Sequence, residues 1–468
     1  MLGDDEPLSE LAGVFDGEAV LQGDPDYEQA RRVWNGVIDR RPAAVIRCLS
    51  TDDVRAGIAL AREYDLPVAV RGGGHSVAGH GTVDDGLVLD LAALDAVGVD
   101  AGAREVTVGG GATWGQVDAV TQRHGLVVPG GVFSRTGVAG LALGGGYGWL
   151  RNAYGLSCAS IIGAEVVTAD SQVVTVDSRT HPDLLWALRG GGGNFGVVTR
   201  FTFRLHAVGP DVFFLFSFHD ARNSGATRGL RAFRNFCASA PNNVSLVAVL
   251  GVVEDGAPGF PEGSAGWPFI SFAGMFVGDP DEGERLLRPL RKFSEPLFDA
   301  SGTMPYTAVQ QAFDDDYPDG GRYYWKSTNI VELGDTAIDL ITATATMPAS
   351  RLSTVDVWHV SGAAAQPVDG AFTTSKAAFL INPEANWVDA HDDAKNIAWV
   401  RGLVTALAPY SDGTRYLNFA GFQEEGNSLM RAAFGDHYER LAAIKTEWDP
   451  TNLFRLNQNV RPMTVIEH

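Results

Sequence analysis

Cysteine is nearly absent from this chain of 468 residues: Cys48, Cys158 and Cys237 are the only three, and no CxxC pair occurs. Three thiols cannot build a disulfide framework, and the count fits a reducing compartment. Lysine is almost as scarce. Lys292, Lys326, Lys376, Lys395 and Lys445 are the whole set, so nearly all basic charge is arginine. Basic residues are outnumbered, 36 against 57 acidic ones, and the net charge of −21 disfavours nucleic acid and anionic membrane as partners. A salt-rich cytoplasm or a GC-rich genome would each produce such a composition, and neither bears on the chemistry. No apolar run reaches the roughly 18 residues of a membrane span. The opening residues MLGDDEPLSE lack the basic start and apolar stretch of a secretory leader, so a cytoplasmic location is expected. No GxxxxGK[ST] phosphate loop is present, and no HxH or HExxH pattern, so no metal centre is expected.

Hydrophobic residues make up 45% and charged residues 20%, a globular balance, and the length calls for two or three domains. The 56 glycines are unevenly placed. Clusters at Gly72–Gly74, Gly109–Gly111, Gly130–Gly131, Gly144–Gly146 and Gly190–Gly193 all precede residue 200, and such clusters nearly vanish beyond residue 210. That shift marks a boundary. Before it, Pro42–Cys48 reads as a strand, Ser50–Tyr64 as a capped helix and Leu66–Gly74 as a second strand ending in a glycine turn. Leu87–Leu91 and Arg104–Val108 read as strands. Thr113 caps a helix over Trp114–His124 that stops at Gly125. Ala164–Asp170 and Gln172–Asp177 read as a hairpin. Val197–Leu205 alternates with Phe201, Phe203 and Leu205 on one face. After it come an aromatic strand through Phe213, Phe214, Phe216 and Phe218, strands at Val244–Val253, Phe269–Phe276 and Thr354–Val360, and a helix at Asp392–Leu407. Arg415–Phe422 reads as a strand and Tyr438–Glu447 as a helix.

Glycine turns let backbone N–H groups approach an anionic phosphate without obstruction. The Rossmann spacing occurs once, as Gly191-x-Gly193-x-x-Gly196, but a strand rather than a helix follows it, so that mode is rejected. What remains is a dinucleotide held by several loops: RGGGHSVAG (71–79), PGGVFSRTGVAGLALGGGYGW (129–149) and RGGGGNFGVVT (189–199). His75 follows the first glycine run directly, where its ring is placed for a covalent bond or contact with the cofactor. His80 reads as an ordinary loop residue.

At these loops, and at Tyr416-Leu417-Asn418-Phe419 and DPTNLFRLNQN (449–459), the chain resembles the covalent flavoproteins of the vanillyl-alcohol-oxidase superfamily. It is most similar to their berberine-bridge-enzyme-like branch. The resemblance implies an α+β fold. A two-part, PCMH-type FAD-binding domain would be made from both chain ends (1–208 and 411–468), with an antiparallel-sheet substrate domain, covered by helices, inserted at 209–410. It implies that His75 bonds the flavin 8α-methyl carbon and that Arg71, Gly72, Gly73, Gly74, Ser76 and Gly79 form the pyrophosphate loop. Gly137, Gly140, Gly144, Gly145 and Gly148 would pass under the isoalloxazine. Gly193, Gly196 and Val198 would line the adenosine and pyrophosphate side, with Asn457 and Asn459 near the flavin. Many relatives attach the flavin a second time through a cysteine. Phe133 stands at that position here, so single attachment is implied, and Cys158 is a small buried residue rather than a substitute. Ala159-Ser160 stands where relatives carry Asp-Asn. Thr136 lies where the family controls access of O2.

Oxidation of an alcohol needs a base within about 3 Å of the hydroxyl proton. Tyr416 is the first candidate, as the tyrosine of the family's Tyr-x-Asn; its pKa of about 10 must be lowered for that work. Asp356 is the second, on the strand Thr354–Val360. His359 is a third, but strict alternation puts it on the opposite face from Asp356. Phe133, Trp149, Trp358 and Trp387 are candidate pocket walls, and Asp314–Asp316 reads as a solvated loop. The expected activity is an FAD-dependent oxidase acting on an alcohol, sugar hemiacetal or polyketide-type hydroxyl. Hydride would pass to flavin N5, and O2 would serve as electron acceptor and give H2O2. A dehydrogenase with another acceptor, or a non-catalytic flavin- or ligand-binding protein, are the alternatives. A small-molecule substrate is the expected partner, and oligomeric state stays open.

Overall fold

The β-α-β reading of the first hundred residues translates directly into a sheet. In the computed structural model, which describes residues 13–422 and 426–463, the strands run Glu18–Leu21, Ala44–Arg47, Leu87–Asp90 and Val68–Arg71. The last three are parallel. Helix Thr51–Glu63 makes the crossover. Its N-cap Ser50 accepts from the Asp53 amide, and Asp53 returns the bond to the Ser50 amide, a reciprocal capping box. Val54, Ile58 and Ala61 are fully buried against Ile46, Leu87 and Leu89. The opening residues MLGDDEPLSE lie outside the described residues.

A second sheet is antiparallel, in the order Val97–Asp100, Glu105–Gly109, Val197–Arg204, Ile161–Val167, Val173–Asp177. Phe201 and Phe203 are fully buried on one face of its central strand while Arg200 and Arg204 are exposed, the period of two read from the sequence. The expected helix after Thr113 runs Trp114–Thr121, tightens to a 3₁₀ turn and ends at Gly125, whose φ of 65° is the left-handed value glycine accepts freely.

Residues beyond 210 build a separate antiparallel sheet. Its strands are Pro296–Asp299, Asp211–Asp220, Pro268–Phe276, Val244–Val252, Thr354–His359, Phe379–Trp387 and Arg322–Trp325, with Gly302–Pro305 and Thr328–Ile330 paired beside this path. Helices Gly225–Cys237, Pro280–Arg291, Asp335–Ala345 and Asp393–Leu407 cover one face, burying Leu230, Phe233, Leu287, Ile338, Ile341 and Leu403 against Ile270, Phe272, Val355 and Val357. The other face is buried too. Phe214, Val247, Met275 and Trp358 join one core with Trp149, Leu150 and Tyr416 from the glycine-loop side. Sheet residues of either parity are therefore apolar, which is why this region shows long hydrophobic stretches rather than alternation.

The chain returns to the first domain at its end. Helix Tyr438–Trp448 packs on helix Pro182–Leu188, and the tail after it docks on the third glycine loop. Asn194, fully buried, accepts from the Val460 amide and donates to the Gln458 and Gly191 carbonyls. Lys445 Nζ, also fully buried, donates to Asp449 Oδ2 at 2.7 Å and to the carbonyls of Asn194 and Phe454. Two-ended construction around an inserted antiparallel domain is thus the observed architecture.

One expected strand is absent. Arg415–Phe422 forms no ladder. Leu417–Phe419 is a single 3₁₀ turn, closed by the Phe419 and Ala420 amides onto the Tyr416 and Leu417 carbonyls, and the Phe419 carbonyl accepts from the Ser327 amide. With its backbone groups spent inside the turn and on one cross-link, no row of groups is left for a neighbouring strand.

Candidate active site

The glycine loops meet backbone to backbone. A Cβ on Gly73 would stand 2.5 Å from the Gly137 nitrogen, so the first two loops approach as only glycine allows. They open on one cavity between the glycine-loop domain and the inserted sheet. Its wall carries Arg71–Ser76, Phe133, Thr136, Gly137, Gly140 and Gly144 from the first two loops, and Gly193, Gly196 and Val198 from the third. Trp325 and Trp358 come from the inserted sheet, and Tyr416, Asn418, Phe419, Asn457 and Gln458 from the C-terminal part.

Four of the expected cofactor-binding residues stand behind this wall. Gly79 has a φ of 76° and packs on Ile38; Gly145 has a φ of 125° and backs onto Phe372. Gly148 presses on the Gly130 backbone, and Asn459 is not among the lining residues. Arg71 lines the cavity, but its guanidinium donates to Asp90 Oδ2 at 2.8 Å and to the Arg32 carbonyl, so its charge is already matched. His80, read as a plain loop residue, also lines the cavity.

Gly74, at φ 66°, turns the chain so that His75 presents its ring to the cavity. The imidazole stacks on Trp34, centroids 4.1 Å apart and planes 16° from parallel, with Phe133 at 6.4 Å. Burial, helped by the charge of Arg135, pushes its pKa down to about 4, so the ring is neutral and its nitrogen lone pair is free at pH 7.

Tyr416 Oη accepts three hydrogen bonds, from the Gly146 and Tyr147 amides at 3.1 and 3.2 Å and from Asn418 Nδ2 at 3.0 Å. Burial raises the phenol to about 12, while those three donors pull the other way because each favours the anion. Asn418 also donates to the Leu141 carbonyl, which fixes its amide.

On the inserted sheet, Asp356 and Trp358 face the glycine-loop domain; Trp358 lines the cavity, and Asp356 is not among the lining residues. Their cross-strand partners are Val249 and Val247, which pack on that side. His359 points the other way, toward Phe379 under the covering helices, and does not line the cavity. Alternation along Thr354–His359 thus removes His359 from the candidate set. Trp387 drops out for the same reason, since it packs with Tyr324, Ala385 and Val400 on the outer face. Trp149 is core, stacked at 6.4 Å on Trp358. Asp314–Asp316 is not a free loop: Asp314 accepts from the Ser134 amide and hydroxyl, and Arg135 donates to its carbonyl, so the segment pins the second glycine loop.

Glu384 escaped the sequence reading. It lies opposite Thr354 on the neighbouring strand, on the same face as Asp356. Tyr317 Oη donates to its Oε2 at 2.7 Å and Asn382 Nδ2 to its Oε1 at 2.6 Å. Thr354 Oγ1 donates to Asp356 at 3.1 Å. Burial pushes Asp356 up to about 7, and burial together with the Asp356 charge raises Glu384 well above the ordinary carboxyl range. Two buried carboxyls so close do not both ionise at low cost, so the pair holds a proton near neutrality. The signal was hidden because FLINPEANW (379–387) is buried along its full length, and only the register tells which residues face the cleft.

Comparison with known proteins now decides the family. A profile described as FAD binding domain matches residues 42–177, and one described as berberine and berberine like matches residues 415–461. The FAD-linked oxidoreductase YgaK of Bacillus subtilis (strain 168) is 30% identical over 465 residues, covering 96% of this chain and 97% of its own. This chain belongs to the berberine-bridge-enzyme-like FAD-linked oxidoreductases. The (R)-6-hydroxynicotine oxidase of Paenarthrobacter nicotinovorans is 26% identical over 469 residues, 95% of this chain and 97% of its own. The crystal structure of 6-hydroxy-D-nicotine oxidase from Arthrobacter nicotinovorans superposes with a TM-score of 0.83 at 26% identity, covering 96% and 98% of the two chains.

The cavity of this oxidoreductase fits FAD. Gly140 and Gly193 line it with nothing within 4 Å of where a Cβ would stand, so any larger side chain would enter the cradle. Asn457 donates to the Gly193 carbonyl while its buried Oδ1 has no partner, an acceptor left for a ligand's donor. Among the described residues no helix is long and apolar enough to cross a membrane. The protein is an FAD-dependent oxidoreductase of α+β fold acting on a small organic substrate.

Proposed function

We propose that this protein is an oxidase that removes hydride from a hydroxyl-bearing carbon of an alcohol, sugar hemiacetal or polyketide-type substrate, with FAD tethered through His75 alone and O2 as electron acceptor. One observation carries the reading: a single cavity brings the neutral His75 imidazole, the Tyr416 hydroxyl and the glycine loops together, with the Asp356 face of the inserted sheet opposite. The domain division at residues 208 and 410 belongs to the same reading. Held by the glycine loops and Asn457, FAD would supply a two-electron acceptor for the hydride and a route for those electrons, with two protons, to O2.

The chain's own groups do the rest. Gly146, Tyr147 and Asn418 orient the Tyr416 oxygen and stabilise it when it gives up its proton. Asp356, buried on the sheet face turned to the cavity and close to neutrality in pKa, takes up the substrate hydroxyl proton through a relay rather than by lining the cavity itself, and Glu384 keeps the pair from shedding both protons. Phe133, Trp325, Trp358 and Phe419 exclude water from the reacting centre. Phe133, at the position of the cysteine in doubly attached relatives, leaves His75 as the sole tether.

Acid precipitation tests the tether. Wild-type protein is expected to stay yellow in the pellet, and His75→Ala to bind FAD but release all of it. Colour retained by the variant would overturn the assignment. Peroxide release across a panel of alcohols and sugars tests the oxidase reading. Flavin reduction without peroxide in air would make the protein a dehydrogenase.

The acid pair gives a pH signature. Asp356 must lose its proton before it can take one, so flavin reduction by substrate rises with pH and levels off above about 7. Asp356→Asn is expected to abolish that limb. A wild-type profile flat from about pH 5 to 9 would remove Asp356 from the base role.

A further inference from the structure

Trp34 lies far from every loop named above in sequence, yet it is the residue against which the tethering ring rests. Its indole, 4% exposed, is the middle plate of a stack. His75 lies on one face at 4.1 Å, and Tyr323 of the inserted sheet on the other at 3.9 Å and 3°. Trp325 closes its edge at 5.4 Å. The plate is fixed from every side. Trp34 Nε1 donates to the Tyr317 carbonyl at 3.0 Å, its amide donates to the Gly74 carbonyl at 3.2 Å, and its carbonyl accepts from the Gly320 amide at 2.8 Å. Its neighbour Asn35 donates to the carbonyls of Val77 and Tyr323 and accepts from the Tyr323 amide, tying the first glycine loop to the inserted sheet.

We propose that Trp34 is a positioning residue for the flavin tether: it sets the plane of the His75 imidazole, with Tyr323 of the inserted domain as its backing. The proposal rests on the reading of His75 as the point of attachment. Attachment makes an N–C bond between the imidazole and the 8α-methyl carbon. One N–H and one C–H are lost, and the two electrons and two protons pass to O2, giving H2O2. Only the orientation of the nitrogen is Trp34's work. Freed from the indole, the ring swings through more than the tolerance of a bond-forming contact, where a displacement of about 1 Å costs about a hundredfold in rate. Because Tyr323 stands behind the indole, the site is complete only once the inserted sheet has docked.

The test uses full-length protein produced under riboflavin limitation, given FAD, and sampled over time for total bound FAD and for the fraction that survives acid precipitation. Trp34→Ala is expected to bind FAD and attach it about a hundredfold more slowly than wild type. Trp34→Phe, which restores a ring face, is expected to attach it at close to the wild-type rate, and Tyr323→Ala to fall between. If Trp34→Ala does not fold, Trp34→Leu, which keeps apolar volume without a ring, takes its place with the same expected slowing. Attachment at the wild-type rate in the Ala or Leu variant overturns the positioning role and leaves His75 untouched. Failure of Trp34→Phe to restore the rate also overturns it, because the stacked face is then not what matters. Tethered FAD in His75→Ala would instead remove the reading on which the proposal stands.

Discussion

Tyr416→Phe is expected to fold, hold FAD and lose turnover by about 10²–10⁴-fold, the range that a positioned proton-transfer group contributes. The substitution deletes one atom, but that atom is the shared acceptor of the Gly146 amide, the Tyr147 amide and Asn418 Nδ2. Three buried donors lose their partner together, so a fall in thermal stability accompanies the loss of rate. The two effects separate cleanly. Anaerobic mixing with substrate reads the rate of flavin bleaching, whereas the melting temperature reads the orphaned donors. A variant that melts earlier but bleaches at the wild-type rate would make Tyr416 a structural residue. Asn418→Leu provides the complement: it keeps the phenol but removes one donor and the link to the Leu141 carbonyl. Its rate should fall less than that of Tyr416→Phe.

Lys445→Ala is expected to be the most destabilising single change in the cofactor domain. Its ammonium and the Asp449 carboxylate are both fully buried, 2.7 Å apart. Removing one partner of such a pair strands the other charge in a dry interior, which costs about 3–5 kcal/mol. The loss also releases the Asn194 and Phe454 carbonyls that Lys445 holds. Those two groups belong to the third glycine loop and to the C-terminal tail, so FAD retention should weaken together with stability. Thermal unfolding with and without added FAD checks this. Unchanged stability would mean that water enters the site and solvates Asp449. Lys445→Met with Asp449→Asn, which removes both charges, should recover part of the loss.

Local chemistry made much of this architecture readable. The capping box at Ser50 and Asp53, the C-terminal Gly125, the alternation through Phe201 and Phe203 and the three glycine loops are each written in adjacent residues, and each is where it was expected. The resemblance then carried His75 and Tyr416 to the same cavity. What escaped depends on pairing between distant segments. Glu384 and Trp387 both sit in a strand buried along its whole length, so no pattern of polarity tells which of the two faces the cleft until the register with Thr354–His359 is known. Trp34 looks like any aromatic residue until Tyr323 is folded behind it. Nothing in the helix Tyr438–Glu447 marks Lys445 as buried, and it is the tail wrapping over it that encloses the charge. Arg415–Phe422 had the composition of a strand but spends its backbone groups on a 3₁₀ turn and a cross-link to Ser327.

Translation delivers residues 190–196 long before the tail that completes their wall. Until Asn194 receives the Val460 amide and Lys445 closes on Asp449, the third loop has no lid and a nucleotide entering it meets solvent on one side. Cofactor capture therefore waits on residues 445–460, and a messenger truncated ahead of the Lys445 codon is expected to yield protein that holds no FAD.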